Sequence, residues 1–280
     1  MSEHAPSERK TVPVQTPILI LAALLVPVLV VAFFMLYVLP DTVGADNFAW
    51  PITPLMSSMM LGATYLGGAY FFIIVLISRR WRHVWLGFLP ISAFAGALGI
   101  ATLLHWDRFV HERWAFQIWV FLYITVPLIL PILWYRNQRP AAGSNPRAEK
   151  MLPSLIRGAF GALGGILTIA AVLLFVVPEQ MAAAWPWTLT PLTARVMAAM
   201  YILPGLVGLG MAYDGRWSSA RYLLQAQALS IILMLIAAYV ARADFDWSAP
   251  ASWFFTGGLS LILVLIVFTF IAGKPRYDAR

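Results

Sequence analysis

Apolar runs about the length of a bilayer crossing recur along this chain, each closed off by charge, proline or tryptophan. A hydrocarbon core about 30 Å thick takes roughly 20 mostly apolar residues per helix. Eight runs meet that length: residues 17–39, 53–78, 85–104, 114–135, 154–177, 191–213, 221–241 and 252–273. Backbone groups cannot be left unpaired against lipid, so every run reads as helix. The pattern predicts an all-α polytopic membrane protein with eight transmembrane helices.

The runs fall into two sets of four. Trp50-Pro51-Ile52-Thr53-Pro54-Leu55 is matched 137 positions later by Trp187-Thr188-Leu189-Thr190-Pro191-Leu192, and the same offset sets Arg79 on Arg216, His105 on Arg242 and Asp107 on Asp244. The expected organisation is a polar, disordered tail (1–16), a first four-helix repeat (17–135), a linker around Ser144 (136–153), a second repeat (154–273) and a short tail (274–280). Four crossings return the chain to the side it started from, so both repeats share one orientation. This is a tandem, parallel duplication about an axis along the membrane normal, as in transporters with parallel repeats. Duplication can equally enlarge a membrane anchor without making a transporter.

Charge sets the orientation. With the N-terminus inside, 15 of the 19 lysines and arginines fall on the cytoplasmic side, and Arg108, Arg113, Arg195 and Arg242 remain outside with seven acids. The positive-inside rule therefore puts both termini in the cytoplasm of a multi-pass plasma (inner) membrane protein. The first run has no small-residue cleavage signature and reads as a retained helix.

Composition narrows the classes. The 280 residues are 61% hydrophobic and 11% charged, with a mean hydropathy of +0.80, against about 25% charged in an average globular domain. The net charge of +7 comes from few charges and reflects positive-inside bias, so nucleic acid is excluded as a partner. The expected partners are the lipid bilayer and a membrane protein or second copy of the chain. The absence of cysteine excludes disulfides, thiolate metal sites, iron–sulfur clusters and thiol nucleophiles.

The repeated motif has a structural reading: tryptophan anchors at the headgroups, with Thr53 and Thr190 capping the helices that follow. Arg195 lies about one turn inside the sixth run, where the first copy has Ser58. It either snorkels to the interface or pairs with a carboxylate, Asp244 ahead of Asp246 and Glu179. The loop His105-Trp106-Asp107-Arg108-Phe109 with His111-Glu112-Arg113 invites a proton-relay or metal reading. Ligands confined to one aqueous loop also read as solvated ion pairs. With only four histidines, on different faces, no metal site and no cofactor is assigned.

No carboxylate or lysine lies mid-span, which disfavours proton pumps and retinal proteins. Gln225 and Gln227, two apart, point in different directions. Gly62, Gly67 and Gly68 in the second run, and Pro204 and Gly205 at the corresponding place in the sixth, are predicted interruptions, with kinks at Pro90, Pro127 and Pro131. Such matched breaks point to a midplane cavity, with Gly67, Gly68, Pro204 and Gly205 as its candidates, or to close helix packing. No P-loop, nucleophile elbow or HExxH motif is present. The sequence thus reads as a non-enzymatic membrane protein, either an accessory or scaffold subunit or a permease-like binder of a small, weakly charged or apolar molecule. The alternative is a membrane enzyme or a metal- or haem-binding redox protein using the loop around His105 and Asp107.

Overall fold

The computed structural model describes residues 12–141 and 150–273; Ser144 and the segments 1–11 and 274–280 lie outside the described residues. The long helices are α1 (Thr16–Phe33, continued by a π-helical stretch, Phe34–Val38), α2 (Leu55–Ser78), α3 (Trp85–Leu104), α4 (Trp114–Ala141), α5 (Ser154–Val176), α6 (Pro191–Asp214), α7 (Trp217–Val240) and α8 (Pro250–Gly273). All eight are long and apolar enough to cross a membrane. Among the described residues the only β pairing is two isolated bridges, Pro13 with Arg80 and Met151 with Arg216.

The helices run unbroken where interruptions were expected: α2 continues through Gly62, Gly67 and Gly68, and α6 through Pro204 and Gly205. Opening a turn in lipid would expose several backbone groups, whereas proline removes a single donor. That single loss can be covered by a neighbour. Pro131 has no N–H for the Pro127 carbonyl, and the Ser92 hydroxyl of α3 donates to that carbonyl at 3.0 Å.

Within each set the first helix packs on the second and the third on the fourth, giving α1 on α2, α3 on α4, α5 on α6 and α7 on α8. Between the sets α2 packs on α7 and α3 on α6. The second and third helices of each set therefore meet the third and second of the other. The α5/α6 contact is the tightest, because Gly164 faces Gly205 and Gly208: a Cβ on Gly164 would lie 2.7 Å from the Gly205 oxygen and from the Leu209 nitrogen. Small residues that let backbones approach in this way are the common glue of membrane helices.

Several backbone roles recur in both sets. Arg79 (φ 49°) and Gly215 (φ 67°) are left-handed C-caps of α2 and α6. Their carbonyls accept from Val14 and Leu152, and Val12 and Lys150 in turn accept from Trp81 and Trp217. Residues 12–15, expected within a disordered tail, are thus pinned at the basic end of the bundle, where buried Asn137 also accepts from the Gln15 amide at 2.8 Å.

These recurrences do not follow the expected offset. Arg79 matches Gly215 rather than Arg216, a separation of 136 rather than 137. The turn from Trp50 to α2 is one residue longer than that from Trp187 to α6, so Pro54, not Thr53, is the N-cap of α2, and it makes no side-chain cap. Thr190 does cap α6, accepting from the Thr193 amide at 3.1 Å. Asp107 and Asp244 likewise do not correspond, being second and third in the 3-10 turns Trp106–Arg108 and Arg242–Asp244.

Trp50 and Trp187 are not headgroup anchors; each is 3% exposed. Trp50 packs edge-on to Phe109 and Trp119 with ring centres 5.0 and 4.9 Å away, and Trp187 meets Phe245 and Phe255 at 5.1 and 5.0 Å. These two aromatic clusters plug the end of the bundle opposite the basic one.

Candidate functional site

At the aromatic end the predicted polar residues separate. The Arg195–Asp244 pair does not form, because α6 lies against α3 of the other set and not against the end of α7. Arg195 Nη1 donates to His105 Nε2 at 2.7 Å, and its Nε donates to the Phe175 carbonyl at 3.1 Å. A guanidinium can only donate, so Nε2 accepts and His105 is a neutral imidazole. Burial, followed by the Arg195 charge, holds the His105 pKa below its ordinary 6.5 against opposing pulls from Asp107 and Glu179.

Asp244 crosses to the first set, where its Oδ2 accepts from the Met56 amide at 2.8 Å. It supplies to α2 the cap that Thr53 does not. Trp187 Nε1 makes a second crossing, donating to Ser57 Oγ at 2.9 Å. Asp107 remains at the surface beside Arg108 at 3.4 Å, with both side chains more than 70% exposed. His111 is taken up by the Trp106 carbonyl of its own loop. Among the described residues no three metal-ligating side chains converge.

A cavity of about 530 Å³ opens nearby, lined by Glu179, Trp185, Trp187, Asp244 and Asp246. Two of its acids are engaged, Asp244 as above and Asp246 by Ser248. The hydrogen bonds from the Ser248 hydroxyl and amide hold the Asp246 carboxyl below its ordinary pKa.

A further concave feature lies at mid-depth, between the sets. A cavity of about 140 Å³ is lined by Gly67 and Gly68 of α2 and by Pro204 of α6, three of the four residues predicted for it. Gly205 is not among them; it faces α5, where a Cβ would lie 2.6 Å from the Thr168 hydroxyl. Much of the wall comes in pairs 136 positions apart: Thr64 with Met200, Gly67 with Leu203, Gly68 with Pro204, Phe71 with Val207, Gly87 with Leu223 and Ile91 with Gln227. The cavity therefore straddles the junction of the two sets, and α5 and α8 close it with Leu167, Leu259 and Ile262.

Its wall is apolar apart from four side chains. Thr64 and Ser230 donate to the carbonyls of Met60 and Ala63, each at 3.1 Å. Neither the Tyr201 hydroxyl nor the Gln227 carboxamide has a hydrogen-bond partner among the described residues. Both stand eleventh in 24-residue helices, near the middle of the span. Pro204, which has no N–H, also leaves the Met200 carbonyl without its helical donor, and no described side chain takes that donor's place.

Neither Tyr201 nor Gln227 is assigned a site by the sequence alone. The expected divergence of the two glutamines is what the structure has: Gln225 accepts from the Tyr70 hydroxyl at 2.9 Å, while Gln227 lines the cavity. The usable signal was register. Tyr201 matches Tyr65, whose hydroxyl is hydrogen-bonded to that of Tyr123 at 2.8 Å, while Leu259 stands at the position matching Tyr123.

Fold and site together define an integral membrane protein with eight membrane-spanning helices. No protein-family model, curated protein or solved structure matches the chain.

Proposed function

We propose that this membrane protein is a non-enzymatic, permease-like binder that holds a small neutral molecule, largely apolar, in the mid-depth cavity between its two sets of helices. One observation carries the reading: in a zone without water, a tyrosine hydroxyl and a glutamine carboxamide face a cavity with no protein partner. An unpaired polar group in such a medium is costly, and a bound molecule relieves that cost. An accessory or scaffolding role would require no such cavity.

The reading includes a tandem duplication with an axis along the membrane normal. It is supported by the paired packing of the helices, the matched left-handed caps, the twin tryptophan clusters and the cavity wall paired at 136 positions. The distribution of charge supports a cytoplasmic basic end and cytoplasmic termini in the plasma membrane.

The test is fluorine NMR of the purified protein in detergent, titrated with fluorobenzene. Saturable binding in the wild type that disappears in a folded Ile91→Trp variant is expected. Equal binding by the two proteins, or none by the wild type, would contradict the proposal.

A further inference from the structure

We infer that the molecule held in this cavity carries an uncharged hydroxyl group on a body of about one ring, and that this hydroxyl is the partner Tyr201 lacks; the inference rests on the binding role proposed above. The reasoning starts from register. Tyr65 and Tyr201 are each the eleventh residue of a 24-residue helix, α2 and α6. Tyr123 and Leu259 are each the tenth residue of α4 and α8. In the first set the two tyrosines satisfy one another, hydroxyl to hydroxyl at 2.8 Å. In the second set leucine replaces the partner, and the space beside Tyr201 belongs to the cavity.

Size and charge limit the ligand. A cavity of about 140 Å³ is close to the roughly 150 Å³ that accommodates benzene in an apolar protein interior. No ionisable side chain other than the tyrosine lines it, so an ionised ligand would be stranded in low dielectric. The hydrogen-bonding character of the wall then separates neutral oxygen groups. The Tyr201 hydroxyl and Gln227 carboxamide can donate or accept, but the Met200 carbonyl, deprived of its donor by Pro204, can only accept. A hydroxyl, which does both, answers more of this wall than a ketone or an ether. The source of such a molecule is the bilayer itself, since α5 and α8 flank the cavity without packing along one another.

Fluorine NMR with 4-fluorophenol and fluorobenzene, two probes of similar shape, tests this directly, with affinities corrected for partition into detergent. The wild type should bind 4-fluorophenol about tenfold more tightly, the upper range for a single neutral hydrogen bond. Tyr201→Phe should reduce that ratio toward one while leaving fluorobenzene affinity unchanged. Leu259→Tyr, which rebuilds the tyrosine pair of the first set inside the cavity, should abolish binding of both probes. Equal affinity for the two probes in the wild type, or a preference that survives Tyr201→Phe, would overturn the hydroxyl assignment while leaving the cavity reading in place. Absence of binding by either probe would overturn both.

Discussion

The first and second sets of helices place a tyrosine at the same depth, in α2 and α6, and surround it differently. In the first set Tyr65 is hydrogen-bonded to Tyr123, and nearby Trp119 Nε1 donates to Thr102 Oγ1 at 2.8 Å. The matching positions in the second set are Leu259, Phe255 and Ala238, which offer no side-chain hydrogen bond. The tyrosine hydroxyl is thus paired in the first set and has no protein partner among the described residues in the second. Space alone does not mark the difference. A groove of about 200 Å³ runs beside Tyr65 and Tyr123 between α1 and α4, but its hydroxyls are already engaged with each other. Unengaged polar groups, rather than volume, distinguish the mid-depth cavity from this groove.

The largest expected effect tests the close approach of α5 and α6, which is built at Gly164 and not at its neighbour Gly165. Gly164→Leu would drive a Cβ into backbone atoms of α6 at 2.7 to 3.0 Å. Backbone cannot yield as a side chain can, so the cost should exceed the roughly 1–3 kcal/mol of ordinary overpacking and the yield of folded protein should collapse. The neighbouring Gly165→Leu, with nothing within 4 Å of its Cβ, should leave yield and melting temperature close to wild type. Equal losses at both positions would remove the close α5/α6 approach from the account.

Caps come next. Asp244→Ala leaves the Met56 amide without its charged acceptor and should cost about 1.5–3 kcal/mol. Thr190→Ala removes a local cap worth about 1 kcal/mol. Unfolding in detergent should therefore rank Asp244→Ala above Thr190→Ala. The reverse order would show that the carboxylate crossing between the sets contributes little.

The tyrosines give a smaller and sharper contrast. Tyr65→Phe should cost about 1 kcal/mol, because it leaves the Tyr123 hydroxyl buried without a partner. Tyr201→Phe in ligand-free protein should be neutral, since no hydrogen bond to a protein group is lost. Equal costs would mean that Tyr201 has a protein partner after all.

Smallest is the pH effect at His105. Its folded-state pKa is lowered, so the stabilisation from its link to Arg195 is present above the ordinary value of 6.5 and is lost as pH falls through the lower folded value. Protonation also sets an imidazolium against the Arg195 guanidinium and against Arg108, with Asp107 and Glu179 opposing. Between pH 7 and pH 5 the wild type should lose more melting temperature than His105→Gln, which keeps an acceptor but does not titrate. Parallel pH profiles would show that the link contributes nothing measurable.

The eight spans were legible because hydrophobic length is a strong constraint in lipid; the largest shift of a helix start is at α7, which begins at Trp217 rather than 221. The continuity of α2 and α6 was not legible, since glycine and proline mark weak points without revealing whether neighbouring helices hold the turn closed. The Arg195–Asp244 expectation failed for a topological reason. It assumed that partners lie within one set, whereas α6 meets α3 and the end of α7 meets the start of α2. Matching glycines and prolines between the sets drew attention to Gly67, Gly68 and Pro204, which line the mid-depth cavity, while Gly205, one residue on, turns to α5. Tyr201 and Gln227 escaped because a polar residue mid-span gains meaning only when its partners are known.

The most direct test of the binding cavity is anomalous diffraction from crystals soaked with 4-bromophenol, which locates the ligand without reference to any variant. The account predicts one bromine peak in the space bounded by Gly67, Leu203 and Gln227, with the phenol oxygen within hydrogen-bond distance of Tyr201. A bromine peak confined to the groove between α1 and α4, or to the aromatic end near Trp185, would contradict it.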